Sequence, residues 1–289
     1  MGVSCMATVV GTNAALIAHR CLDYVQELEH LWSRFDPNSD ISRLNNANGA
    51  PVWVDARTTQ LVQHALVAHT ATCGKFNPAL LPLQLAAGDA HSLLDDGATI
   101  VSSHSHPFAD LSGITVHDDG RITIPADMSL DMGGIAKGYA ADVTMQRALS
   151  QGATAACINI GGDMAMNTGD AAGWDVQILS PFDYSVVIDT VRVASGGVAT
   201  SSLFARSRED RGIYSHIFDP GGPRRTDRTV GATVIANTAA WAEAWTKSAL
   251  LSEPSEALST LNELGLAAML VASDGSTLQT TSWKNFSNE

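Results

Sequence analysis

The chain has 289 residues, enough for one large domain or two small ones and for a sizeable core. Apolar residues make up 45% and charged residues 16%, a globular and not a disordered composition. Seventeen basic against thirty acidic residues give a net charge of −13; such a surface repels phosphate backbones and anionic membranes, which argues against general nucleic-acid binding but permits a local basic pocket.

In chain order, residues 6–17 predict a strand region, MATVVGTNAALI. From about His19 to Ser33 the period changes, and Leu22, Val25, Leu28 and Leu31 recur every three residues as one helix face would. FDPNSDISRLNNANG follows, a loop with one short helical piece. Asp55 is placed to cap a second helix with Leu61, Ala65 and Ala68 in its apolar stripe. Residues 84–128 are irregular, apart from a hairpin around Asp119-Gly120 in VHDDGRITI. A helix begins just past Gly134 and runs to about Leu149. Strands are expected at 154–160, 174–179, 186–193 and 230–236, and helices at 239–251 and 254–264, the second ended by Gly265. The pair AAMLVAS and STLQTT flanks a turn at Asp274-Gly275. There is no regular βαβ alternation, so the class is α+β and not a doubly wound sheet.

The four cysteines, Cys5, Cys21, Cys73 and Cys157, are scattered, without CxxC pairs or zinc spacing. Free thiols in a reducing compartment are expected. MGVSCMATVV lacks a basic segment followed by an apolar one, and no apolar run approaches membrane-helix length. The expectation is a cytoplasmic protein with neither signal peptide nor lipobox.

Four segments could carry chemistry. In Asp131-Met132-Gly133-Gly134-Ile135-Ala136-Lys137, two glycines open a helix whose first turn holds a lysine. Free N–H groups and a point charge there suit an anion, although the segment is not a Walker A motif and a plain glycine turn explains it equally well. Asn159-Ile160-Gly161-Gly162-Asp163 is a strand entering paired glycines, a tight turn or a ligand edge. His216-Ile217-Phe218-Asp219-Pro220-Gly221-Gly222 sets an imidazole and a carboxylate three apart before a turn. It reads as acid–base machinery or as a structural His with an Asx turn. Glu243 and Lys247 are four apart on one helix face, a surface ion pair or, if buried, a costly pair serving a ligand or metal.

Taken in order, these segments resemble the ApbE family of FAD:protein FMN transferases. The likeness runs from Met6-Ala7-Thr8 through LWSRFDPNSDISRLN, GKFNPALLPL, LDMGGIAKGYAAD, INIGGD, GGVATSS and HIFDPGG to AEAWTKSAL. It implies a single domain over 1–289 with a core match at 6–251, and 252–289 as a helix, a hairpin and a polar tail. The implied fold is an antiparallel sheet of the T-fold type with packed helices and an FAD cleft between two halves. The implied activity is transfer of the FMN half of FAD to a Thr or Ser hydroxyl of a target flavoprotein, with Mg²⁺ bound and AMP released. An FAD pyrophosphatase and a non-catalytic FAD-binding protein are the alternatives.

By the same resemblance, Met6, Leu44, Lys75, Phe76, Asn77, Asp131, Lys137 and His216 contact FAD. His216, Asp219 and Lys137 serve catalysis, one of His216 and Asp219 lying nearest the attacking hydroxyl. Gly134, through its carbonyl, and Glu243 stand at the metal position. The family usually places an Asp where Glu243 stands and a Thr where Lys247 stands. A protonated lysine cannot ligate Mg²⁺. Either Lys247 replaces the metal as a tethered cation, or the metal is held by Glu243, the Gly134 carbonyl and the phosphates. Lys247 is also the main argument for the non-catalytic reading.

Overall fold

The computed structural model describes residues 3–86, 110–169, 172–204, 217, 219 and 229–287. Its elements run β1 (Cys5–Val10), α1 (Ala14–Trp32), α2 (Asp40–Asn45), β2 (Val52–Trp53), α3 (Ala56–Ala71) and α4 (Leu81–Ala86). After these come β3 (Thr115–Val116), β4 (Arg121–Thr123), α5 (Ala136–Ser150), β5 (Ala155–Ile160), β6 (Asp163–Asn167), β7 (Trp174–Leu179), β8 (Val187–Val193) and β9 (Ser195–Ser202). The chain closes with β10 (Thr229–Ala236), α6 (Ala239–Leu251), α7 (Pro254–Glu263), β11 (Ala267–Ala272) and β12 (Thr277–Gln279).

The main sheet has seven strands in the order β1-β5-β6-β9-β10-β11-β12, every neighbouring pair antiparallel. A three-stranded sheet, β2-β4-β3, and the β7–β8 hairpin stand apart from it. This is the expected α+β class. The starts of α3, α5, α6 and α7, the Asp119-Gly120 hairpin and the strands at β5, β7, β8 and β10 agree with the sequence to within two residues, whereas α1 starts at Ala14, five residues before the expected His19. Asp55 caps α3 by accepting from the Arg57 N–H at 2.8 Å, and Leu61, Ala65 and Ala68 are buried beneath that helix. Gly265 ends α7 in the left-handed region at φ 69°, while the Leu266 N–H reaches back to the Leu261 carbonyl.

Several expectations are corrected. Residues 11–17 are not strand, because Gly11 (φ 128°) and Asn13 (φ 63°) turn the chain into α1. The buried face of α1 is Ile17, Cys21, Val25, Leu28 and Trp32, and Leu22 is exposed. Three residues turn a helix by only about 300°, so a strict three-residue repeat drifts off the face that mixed three- and four-residue steps hold. β6 and β9 were not expected from the sequence. The end of the chain is no free polar tail: Trp283 is fully buried, and its indole N–H donates to Asp189 Oδ2 at 2.7 Å. Cys21 and Cys157 are buried and Cys5 and Cys73 exposed, all four as free thiols. No helix of the described residues is long and apolar enough to cross a membrane.

α6 lies against α5, β9 and β10, and ten of its residues are buried. Two glycines allow this approach. A Cβ on Gly138 would fall 2.4 Å from the Ala239 carbonyl oxygen, and one on Gly197 would fall 2.1 Å from the Ala239 nitrogen. Asp142 of α5 then accepts from the Ala239 and Ala240 N–H groups at 2.8 and 2.9 Å, capping α6 from the side. The helix carrying Glu243 and Lys247 is thus fixed against the helix carrying Lys137.

Candidate functional site

Where the starts of α5 and β6 meet α6 there is a cavity of about 310 Å³. Its floor is a buried quartet of charges. The Lys137 ammonium, in the first turn of α5, lies 2.8 Å from Asp163 Oδ2 and also hydrogen-bonds Glu243 Oε1. The Lys247 ammonium reaches the same Glu243 oxygen at 3.1 Å, from one helical turn further along α6. The Gly138 N–H donates to Glu243 Oε2 at 2.8 Å. The other Asp163 oxygen, Oδ1, is buried and has no partner among the described residues.

The electrostatics follow from this crowding. Burial works against the Glu243 charge, but Lys137, Lys247 and the Gly138 N–H outweigh it and hold the carboxyl below the ordinary carboxylate range. Burial and the Glu243 charge push Asp163 upward, against the pull of the lysines. Burial also opposes the Lys137 charge, yet Asp163 and Glu243 overcome it and raise this lysine. Lys247 moves down, through burial first and the like charge of Lys137 second, with Glu243 in opposition.

The walls are set by the loops. Asp131 folds over the glycine pair by accepting from the Gly133 N–H at 2.8 Å, and Arg34 Nε pairs with its other oxygen at 3.4 Å. Phe76 packs against Gly134, where a Cβ would come within 3.0 Å of the ring. Asn77 keeps a turn role, accepting from the Ala79 N–H at 2.8 Å. Lys75 lines the cavity, but its ammonium is engaged by Ser252 Oγ at 2.7 Å and Glu256 Oε1 at 2.8 Å. Thr200, Ser201 and Ser202 at the end of β9 supply a hydroxyl wall.

Lys75, Phe76, Asn77, Asp131, Gly134, Lys137 and Lys247 therefore converge on one cavity, with Glu243 directly beneath. Met6 and Leu44 do not join them. Met6 is 56% exposed on the edge strand β1, and it is Val3 that lines the cavity. Leu44 is fully buried in α2, held in the core where the side chain of its neighbour Asn45 ties both backbone groups of Leu130. His216 lies outside the described residues. Asp219 is half-buried and is not among the lining residues, although Ile217 is.

Sequence reasoning missed Arg34, Asp163 as a lysine partner, and the β9 hydroxyls. Arg34 gave no signal, because its burial depends on Asp131, distant in the chain. Arg34, Asp163 and the hydroxyls all stood in segments already quoted, LWSRFDPNSDISRLN, INIGGD and GGVATSS, without a role.

The residues do not fit the Mg²⁺ that the family resemblance implies. Mg²⁺ requires about six oxygen donors in near-octahedral array. Both Glu243 oxygens are taken by two ammonium groups and a backbone N–H. The Lys247 side chain runs beside Gly134, its Cε 3.8 Å from the place of a Gly134 Cβ. Among the described residues no group of three or more His, Cys, Asp and Glu side chains could hold a metal ion.

Comparison with known proteins gives one answer. The sequence model of the ApbE family matches residues 1–270. A FAD:protein FMN transferase of Treponema pallidum (strain Nichols) is 29% identical over 255 residues, covering 78% of this chain and 70% of that protein. One from Salmonella typhimurium is 27% identical, covering 97% and 84%. Among solved structures, the ApbE protein of Thermotoga maritima superposes with a TM-score of 0.85 at 24% identity, covering 100% of this chain and 97% of that one. The flavin transferase ApbE of Vibrio cholerae gives 0.80 at 20% identity, covering 99% and 96%. At these identities the structural likeness shows the fold.

Proposed function

The chain belongs to the ApbE family, and on that premise we propose that it is a FAD:protein FMN transferase. In this reading a Thr or Ser hydroxyl of a target flavoprotein attacks the phosphorus on the FMN side of FAD. A new P–O bond joins FMN to the target, the P–O bond to AMP breaks, AMP leaves with the bridging oxygen, and the hydroxyl proton passes to a base. FAD carries two negative charges; the FMN phosphodiester with one, AMP with two and the released proton balance them.

The observation that supports this is the convergence of Arg34, Lys137 and Lys247 with the Gly133-Gly134 turn on one cavity, in a chain whose net charge is −13. Cationic donors, each held in place by a carboxylate, are gathered where a pyrophosphate would be bound and where charge grows on the leaving AMP. Lys137 is held by Asp163, Glu243 and the Gly133 carbonyl, so its charge is fixed in place and its longest bond, the 3.2 Å one to Gly133, is the one a phosphoryl oxygen would replace. Phe76 and Trp32 line the cavity and supply aromatic surface for a heterocycle. His216 or Asp219 takes the proton of the attacking hydroxyl.

The test incubates the purified protein with FAD and a flavoprotein domain bearing an acceptor Thr, followed by intact-mass spectrometry. A mass gain of one FMN with equimolar AMP is expected. AMP and free FMN with an unmodified target would instead favour the pyrophosphatase.

A further inference from the structure

The charge quartet under the cavity is balanced without any added ion. Lys137 and Lys247 contribute two positive charges and Glu243 and Asp163 two negative ones, and all four side chains are at most 14% exposed. With a neutral residue in place of Lys247, the site would carry one net negative charge and would call for a cation. With Lys247 present, a divalent ion would leave an excess of two positive charges in a buried place, beside an ammonium already bound to Glu243. The ammonium also occupies the carboxylate oxygen that a metal would need. It is anchored on α6 one turn from Glu243, and its stem passes beside Gly134, whose carbonyl a metal would share.

A lysine on this anchor can still serve a ligand. Lys247 spends one proton on Glu243 and has two more to donate, and it lines the cavity together with Lys137. Both ammonium groups are fixed on the same carboxylate oxygen. Lys137 gives its other two N–H groups to Asp163 and the Gly133 carbonyl, so it contributes charge while Lys247 contributes the open donors.

We propose that the Lys247 ammonium is a built-in cation that takes the place of a divalent metal, binding the dinucleotide's pyrophosphate jointly with Lys137 and making the protein independent of Mg²⁺. The pyrophosphate ligand rests on the transferase reading above; the exclusion of a divalent ion does not.

The experiment has two arms. In the first, Mn²⁺ is titrated into the flavin-free protein and free Mn²⁺ is followed by electron paramagnetic resonance. Wild type should leave Mn²⁺ free into the millimolar range, and Lys247→Thr should acquire one site tighter by roughly tenfold or more. In the second, FAD binding is followed by quenching of flavin fluorescence, in EDTA and in Mg²⁺. Wild-type affinity should be the same in both to within about twofold. Lys247→Thr should bind more weakly by roughly tenfold in EDTA and recover with Mg²⁺, and Lys247→Met should weaken without recovery. Stoichiometric Mn²⁺ binding by wild type would overturn the proposal, as would wild-type FAD binding that requires Mg²⁺. Both decisive measurements use wild type and so do not depend on how the variants fold. Absence of FAD binding in every condition would overturn the transferase reading, while the Mn²⁺ arm would still decide the exclusion of the metal.

Discussion

Lys137 and Asp163 meet at 2.8 Å, yet the second oxygen of Asp163 is buried without a partner among the described residues. A buried acceptor left open is costly unless a ligand or a water donates to it. Asp163 therefore does more than neutralise a lysine: it lines the cavity, orients Lys137 and keeps one acceptor open. Removing it should cost both stability and binding. Asp163→Ala should lower unfolding free energy by roughly 1–3 kcal/mol, because Lys137 keeps only Glu243 as a carboxylate partner. Urea denaturation checks this, and a change within about 0.5 kcal/mol, the range of ordinary surface substitutions, would contradict it.

Gly138 is a position where size alone matters. Its missing Cβ is what lets the start of α6 sit on α5, with the Ala239 carbonyl 2.4 Å from that site. Gly138→Ala should push the two helices apart, lengthen the Gly138 N–H bond to Glu243, and destabilise by about 1–3 kcal/mol as overpacking does. FAD affinity should fall with it, because Glu243 holds both lysines. A thermal melt with a flavin titration on the same sample tests the coupling; an unchanged melting temperature would refute it.

Asp142 predicts a pH dependence. Burial holds its carboxyl up at about 6, although the Ala239 and Ala240 N–H groups pull it down. The unfolded carboxyl titrates near 3.8, so between these values the folded chain binds more protons than the unfolded one, and stability falls as pH rises through that window. Asp142→Asn removes the titrating group while keeping one acceptor for the cap. The melting temperature of wild type relative to Asp142→Asn should therefore rise as pH is lowered from 7.5 to 5. A constant difference, or one of opposite sign, would contradict the assignment.

Glu256 should act as a brake on Lys75. The ammonium of Lys75 is held by Glu256 and Ser252 while its stem lines the cavity. Because Glu256 is well exposed, Glu256→Gln should change stability by no more than about 1 kcal/mol. It should free Lys75 to turn inward and tighten FAD binding by a few-fold, an effect that salt weakens. Weaker binding in Glu256→Gln at low salt would show that Lys75 has no access to the ligand.

The sequence made some of this legible and hid the rest for physical reasons. The start of α5 could be read, because paired glycines followed by a periodic run are local signals, and the Glu243–Lys247 spacing put both groups on one helix face. β9 could not be read: SGGVATSS lacks alternating large apolar residues because α6 lies directly upon it, with Gly197 under Ala239. Met6 and Leu44 show the limit of transferring positions by resemblance. Motif order located their segments, but whether a side chain faces cavity, core or solvent depends on strand register and on the Asn45–Leu130 contact, 85 residues apart. Arg34 was missed for the same reason, its role existing only once Asp131 is beside it.

The central claim is that a target hydroxyl, and not water, attacks the FMN-side phosphorus. The most direct measurement runs the reaction with FAD and target protein in H₂¹⁸O and determines by mass spectrometry where the label goes. The account predicts an FMN–target adduct and AMP that both lack ¹⁸O, since AMP leaves with the bridging oxygen. One ¹⁸O in free FMN, with no adduct formed, would contradict it and identify water as the acceptor.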